Sequence, residues 1–142
     1  MNQREKLNKL RGRNNHEDLI FYSFKKSKID HINTHELHRL EHSIKSIREF
    51  NNEISVYLFC DDPSIIPVYF RTHYSVNVLP FEDGFDHEML NAWSIHRWYN
   101  LKYFTQEANI LYVDSDTIFN HDPKYLFDTY CTYQVYGREE FG

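Results

Sequence analysis

The most informative stretch of the chain is residues 109–118, NILYVDSDTI. The four consecutive apolar residues 110–113 predict a strand buried on both faces, because a strand with one exposed face alternates apolar and polar residues. Asp114 and Asp116 follow directly after that strand. Ligands of open α/β sheets bind at the carboxyl ends of the strands. The two aspartates are therefore candidate site residues.

Their chemistry suits a hard divalent cation. On an extended backbone the carboxylates of Asp114 and Asp116 point to the same side, about 6–7 Å apart, and can share one ion. Oxygen ligands favour Mg²⁺ or Mn²⁺ over zinc, and an ion held by two protein groups keeps positions for phosphate oxygens. The alternative is a polar turn in which the aspartates bond only to the local backbone.

The rest of the hydrophobic pattern predicts the order β-α-β-α-β ahead of this strand, with strands at 19–22, 54–60 and 76–79. Asn33 and Glu36 have the spacing of a capping box. One apolar helix face then follows at helical spacing, formed by Leu37, Leu40, Ile44, Ile47 and Phe50. Further helices are predicted at 65–74 and 87–104, and a final strand at 131–136. This alternation predicts an α/β, Rossmann-like, mainly parallel sheet flanked by helices.

The motif continues beyond the aspartates as Thr117, Ile118 and Phe119, then DP at 122–123 and YLFD at 125–128. This string resembles the metal-binding segment of GT-A glycosyltransferases, and is similar to that of glycosyltransferase family 8. Residues 93–101, WSIHRWYNL, look like the helix that precedes the strand in such enzymes. The resemblance is specific over residues 93–127 and looser over 18–136.

The resemblance implies that the chain transfers a sugar from a nucleotide diphosphate donor, preferably a UDP-sugar, to an acceptor that the sequence does not identify. It implies that Mn²⁺ or Mg²⁺ bridges the diphosphate to Asp114 and Asp116. It also assigns Arg97, Ser115 and Ser23 to the nucleotide-sugar site, Arg97 through a forked contact with phosphate. The plainer alternatives are a surface arginine at Arg97 and an ordinary strand-end serine at Ser23.

The main departure from the family concerns length. GT-A enzymes carry a second, acceptor-binding half, whereas only 26 residues follow Asp116. The expected organisation is therefore a polar leader at 1–17 and a nucleotide-sugar-binding domain at 18–142, apparently truncated. A partner or self-association is expected to cover the missing half. A second hypothesis is a non-catalytic module that binds donor only.

A third hypothesis is a phosphatase of the haloacid dehalogenase type, which also places D-x-D after an apolar strand. Its motif normally has Thr or Val where this chain has Ile118, and normally lies near the start of the catalytic domain. Both departures disfavour that class. The sequence therefore favours a metal-dependent transferase or the donor-binding half of one.

Composition narrows the class further. A chain of 142 residues fits one domain, and a net charge of −5 argues against a nucleic-acid partner. Cys60 and Cys131 do not make a disulfide framework, which favours a reducing, cytoplasmic location. The leader has no apolar core, so neither a signal peptide nor a transmembrane segment is expected there.

Three further groups of side chains are weaker candidates for a site. His38, Glu41 and His42 match the H-x-x-E-H pattern of inverted zinc peptidases, but the apolar helix face directs both histidines to solvent, and a zinc site needs a third ligand. Asp61 and Asp62 end a strand at the same sheet edge as Asp114, where a helix cap explains them equally well. His121 is expected to be a turn residue.

Overall fold

The computed structural model describes residues 16–81, 100–104 and 108–130. Within these ranges the strands are β1 (Glu17–Phe24), β2 (Ser55–Cys60), β3 (Val76–Pro80) and β4 (Ala108–Tyr112). The helices are α1 (Asp30–Phe50), α2 (Val68–Thr72) and α3 (Lys124–Thr129), with single 3₁₀ turns at Pro63–Ile65 and Leu101–Tyr103. The predicted strand at 131–136, residues 87–99 of the predicted helix and residues 1–15 of the leader lie outside the described residues.

The four strands form one parallel sheet in the order β3-β2-β1-β4. From β1 the chain adds β2 and β3 on one side and then returns to add β4 on the other. The predicted α/β, Rossmann-like arrangement is therefore confirmed. No helix of the described ranges has the length and apolar character needed to cross a membrane.

One face of the sheet packs against α1. Leu40, Ile44 and Ile47 of α1 are at most 1% exposed and meet alternate residues of β1 and β2, such as Ile20 and Leu58. The predicted apolar face is thus correct through Ile47 and wrong for Phe50, which is 45% exposed. Phe50 is the last residue of α1.

The opposite face carries an aromatic cluster. Phe21 of β1 and Phe59 of β2 are buried there, with ring centroids 6.1 Å apart in an edge-to-face arrangement. Phe104 covers both rings at centroid distances of 6.0 and 5.8 Å. Edge-to-face geometry sets the positive ring edge against a negative ring face. The sheet is therefore covered on both faces around β1 and β2.

The start of α1 differs from the predicted capping box. The N-cap is Ile29, which makes no side-chain cap, and Asn33 lies inside the first turns of the helix. The Asn33 side chain instead accepts a bond from the Ser27 amide at 2.7 Å and donates to the Ser27 carbonyl at 2.8 Å. Asn33 is buried and satisfies the loop between β1 and α1. The capping-box prediction is wrong because this loop competes for the amide.

The prediction that residues 110–113 form a strand buried on both faces is also wrong. Among the described strands β4 pairs with β1 alone, and Ile110 is 37% exposed. The strand with two covered faces is β1, which lies between β2 and β4. An apolar run marks a strand but does not say how many neighbours the strand has.

Arg48 closes the amino edge of the sheet. Its guanidinium donates to the carbonyls of Tyr74 at 2.8 Å and Ile54 at 2.8 Å, and also to those of Asn51 and Ser75. Partial burial lowers the pKa of Arg48, and the nearby Tyr22 opposes that shift. This side chain ties the end of α1 to the starts of β2 and β3.

Candidate functional site

The strand order creates a point of reversal between β1 and β4. The strand order reverses there, because β2 lies on one side of β1 and β4 on the other. In open α/β sheets a crevice forms at such a point, outside the carboxyl ends of the strands. Ser23 lies at the carboxyl end of β1, and Asp114 and Asp116 follow β4. Three of the predicted site residues thus come from the two strands that flank this point.

The aspartates lie in a tight turn, which we name the D-x-D turn (residues 114–117). The Val113 amide still bonds to the Phe21 carbonyl at 3.1 Å, so pairing with β1 persists up to the turn. The Thr117 amide then donates to the Asp114 carbonyl at 3.0 Å and closes the turn. The extended backbone assumed for the two aspartates is therefore wrong. Both side chains are nevertheless exposed to solvent.

The chain after the turn runs along α1. Ser115 Oγ lies 3.4 Å from Glu36 Oε2. Further on, the Phe119 amide donates to Ser46 Oγ at 2.9 Å, and Asn51 Nδ2 donates to Asp122 Oδ1 at 3.1 Å.

These three contacts advance along the helix in step with the chain, so α1 supports the D-x-D turn and the segment that follows it. Glu36 was predicted only as a capping residue, and its position beside Ser115 was missed. The same path carries His121 toward the end of α1, because its neighbour Asp122 contacts Asn51 there. His121 is an exposed residue of this segment.

Ser23 has a partner that the sequence did not suggest. Asn100 Nδ2 lies 3.3 Å from Ser23 Oγ, and the Asn100 side chain is fully buried. A buried amide needs hydrogen-bond partners, and an asparagine near the end of a predicted helix gives no such signal in the sequence. Arg97, Trp93, Trp98 and Tyr99 lie outside the described residues.

The loop after β2 lies at the same edge. We name residues 61–62 the post-β2 pair. Asp61 Oδ1 accepts from the Lys26 amide at 2.7 Å, and Lys26 Nζ lies 3.1 Å from Asp62 Oδ2. Asp62 also caps the 3₁₀ turn at Pro63–Ile65 through the Ser64 amide, as predicted. Hydrogen bonds from Ser64 and Lys26 lower the pKa of Asp62.

The residues of the H-x-x-E-H pattern, His38, Glu41 and His42, all lie on α1. His38 and His42 are exposed, as the apolar face of the helix predicted. Glu41 accepts from the hydroxyls of Tyr69 at 3.4 Å and Tyr74 at 3.5 Å. Within the described part of the chain no three His, Cys, Asp or Glu side chains are grouped so as to hold a metal ion.

Comparison of the chain with protein-family models, with curated proteins and with solved structures finds no match. The position of the side chains in the fold indicates what the site can bind. The arrangement offers two exposed carboxylates on a turn supported by a long helix, next to the reversal point of a parallel sheet. Such a donor set fits an oxygen-preferring divalent cation that keeps positions for a phosphate.

Proposed function

We propose that this chain binds a nucleotide diphosphate sugar, preferably a UDP-sugar, together with Mn²⁺ or Mg²⁺, as the donor-binding part of a metal-dependent GT-A glycosyltransferase. One observation carries the proposal. The D-x-D turn follows a parallel strand at the carboxyl edge, beside the point where the strand order reverses. Sequence resemblance over residues 93–127 supplies the reaction class.

Each residue has a separate role in this proposal. The carboxylates of Asp114 and Asp116 hold the ion, which when bound neutralises negative charge on the diphosphate as a Lewis acid. Ser23, at the end of β1, contacts the nucleoside, with its hydroxyl oriented by Asn100. Ser115 keeps the turn against α1 through Glu36. Arg97 is proposed to bind phosphate.

Calorimetric titration with UDP-, GDP- and CMP-sugars, with and without Mn²⁺, tests the proposal. We expect binding that requires the metal and that Asp114→Asn and Asp116→Asn each weaken by at least about 100-fold, because loss of a supporting contact alone costs 10–100-fold. Glu53→Gln is the matched control, since Glu53 is an exposed carboxylate in the connection from α1 to β2, at the opposite edge.

Two outcomes contradict the proposal. Binding of the donor without metal would show that the D-x-D turn is not part of the site. Binding by both aspartate variants with the affinity of the unaltered chain would show the same. The related hypothesis of a module that binds donor without transfer is separated by following release of the nucleotide diphosphate. Metal-dependent binding with no release, in the presence of candidate acceptors, favours the donor-only module.

A further inference from the structure

Four histidines lie on one face of α1: His31, His35, His38 and His42. Their spacings of four, three and four residues keep them within an arc of about 60° at 3.6 residues per turn. All four are exposed, so packing of the core does not explain them. This face is separate from the D-x-D turn and from the apolar face of the helix.

His38 and His42 are arranged as a pair. Their ring centroids are 6.1 Å apart, and the ring planes are inclined by 25°. Among the described residues neither imidazole has a hydrogen-bond or ion-pair partner. Nearby charges are engaged elsewhere, since Arg39 pairs with Glu36 at 3.6 Å and Glu41 accepts from two tyrosines. The nitrogens of both rings are thus available to a ligand.

From this geometry we propose that His38 and His42 form a two-histidine clamp for a divalent cation that prefers imidazole, such as Zn²⁺. Residues i and i+4 of a helix are neighbours, and imidazole favours Zn, Cu and Ni. With metal–nitrogen distances of 2.0–2.1 Å in a tetrahedral site, the two ring centroids need to be about 5 Å apart. Small side-chain rotations close the remaining gap of about 1 Å.

The helix makes this clamp pre-organised. Both histidines lie in the middle of the 21-residue α1, whose opposite face is fixed in the core by Leu40 and Ile44. Binding therefore requires no further ordering of the backbone, and only two exposed side chains lose conformational freedom. Two protein ligands leave coordination positions for water or for a group of a partner. The clamp is a binding site, without the third ligand of a structural zinc centre.

Calorimetric titration of the chelator-treated full chain with ZnCl₂ tests the clamp. His38→Asn and His42→Asn are each expected to weaken the strongest Zn²⁺ site by at least about tenfold, because a chelate loses one of its two ligands. The matched control is the double variant His31→Asn with His35→Asn, which removes a pair of the same spacing from the same helix face. It is expected to leave the strongest site intact.

Unchanged Zn²⁺ affinity in His38→Asn overturns the proposal, as does an equal loss in the control. Shifts of the His38 and His42 ring resonances on addition of Zn²⁺ provide a second measurement. The variant Asp116→Asn is expected to keep this Zn²⁺ site. The test of the clamp is therefore independent of the test of the proposed donor site.

Discussion

The post-β2 pair and the D-x-D turn leave the same edge of the sheet, and each places two aspartates just after a parallel strand. In the post-β2 pair the carboxylates already have protein donors, from the Lys26 amide, Lys26 Nζ and Ser64. In the D-x-D turn both aspartate side chains are exposed, and the turn is closed by backbone. The aspartates of the two loops thus differ in exposure, since Asp61 and Asp62 are half-buried.

An aspartate after a strand is therefore not by itself a site. Asp61 and Asp62 contact Lys26 in the loop between β1 and α1, so these two carboxylates hold that loop against the end of β2. The D-x-D turn is instead supported by α1, through the contact of Ser115 with Glu36. Support of the turn through its middle residue keeps both flanking carboxylates at the surface.

The largest expected effect is on the alkylation rate of Cys60, the residue that precedes the post-β2 pair. Burial raises the pKa of its thiol to about 12, while the Asp62 carbonyl accepts its S–H bond at 3.3 Å. Compared with a free thiol of pKa about 8.5, the thiolate fraction falls by about a thousandfold or more. We expect alkylation at pH 8 to be slower in the native chain by a similar factor than in urea.

A Cys131→Ser background isolates this thiol. Equal alkylation rates in the native and unfolded chains would show that the native structure does not protect the Cys60 thiol. That result would contradict the description of the post-β2 pair as a fixed part of the structure. The raised pKa also fixes the sign of a pH effect. The contribution of Cys60 to stability is present below the pKa of the unfolded thiol and is lost as the pH rises toward 12.

A double-mutant cycle on Glu36 and Ser115 tests whether α1 supports the D-x-D turn. Removing a contact that supports metal-binding residues typically costs 10–100-fold in affinity. We expect Glu36→Ala and Ser115→Ala each to weaken Mn²⁺-dependent donor binding by about tenfold, and the double variant by little more than either single variant.

Arg39→Ala is the control, since it removes the ion-pair partner of Glu36 and leaves the Ser115 contact in place. Fully additive losses would mean that Glu36 and Ser115 act separately. In that case α1 does not support the turn through this contact.

The smallest expected effect concerns Asp61. Asp61→Ala removes the acceptor of the Lys26 amide and is expected to lower the free energy of unfolding by about 1 kcal/mol. Donor binding at the D-x-D turn should not change. Urea denaturation and calorimetry measure the two quantities on the same sample. A variant that keeps its stability and loses donor binding would reverse the assignment of the two acidic loops.

Much of the architecture could be predicted from local pattern. The positions of the first three strands and the core face of α1 followed from apolar spacing, which depends on the periods of helix and strand. Two of the errors share a cause, because each involved a choice of partner. Asn33 bonds to Ser27 rather than capping the helix, and β4 has one described neighbour rather than two.

The candidate site divides in the same way. The sequence named Asp114, Asp116 and Ser23, because polar residues after apolar runs mark strand ends. It could not name Asn100 as the partner of Ser23, or Glu36 as the partner of Ser115, since each pair joins residues at least 77 positions apart. It also gave no means to separate the D-x-D turn from the post-β2 pair.

The sequence by itself determined an α/β chain with strand-end aspartates and a helix that has one apolar and one histidine-bearing face. These features depend on residue type and on spacings within a few turns of helix or a few residues of strand. Tertiary structure alone decided that β4 joins β1 on the side away from β2. That choice depends on packing between distant segments, and it sets the D-x-D turn at the reversal point while Lys26 engages the other two aspartates.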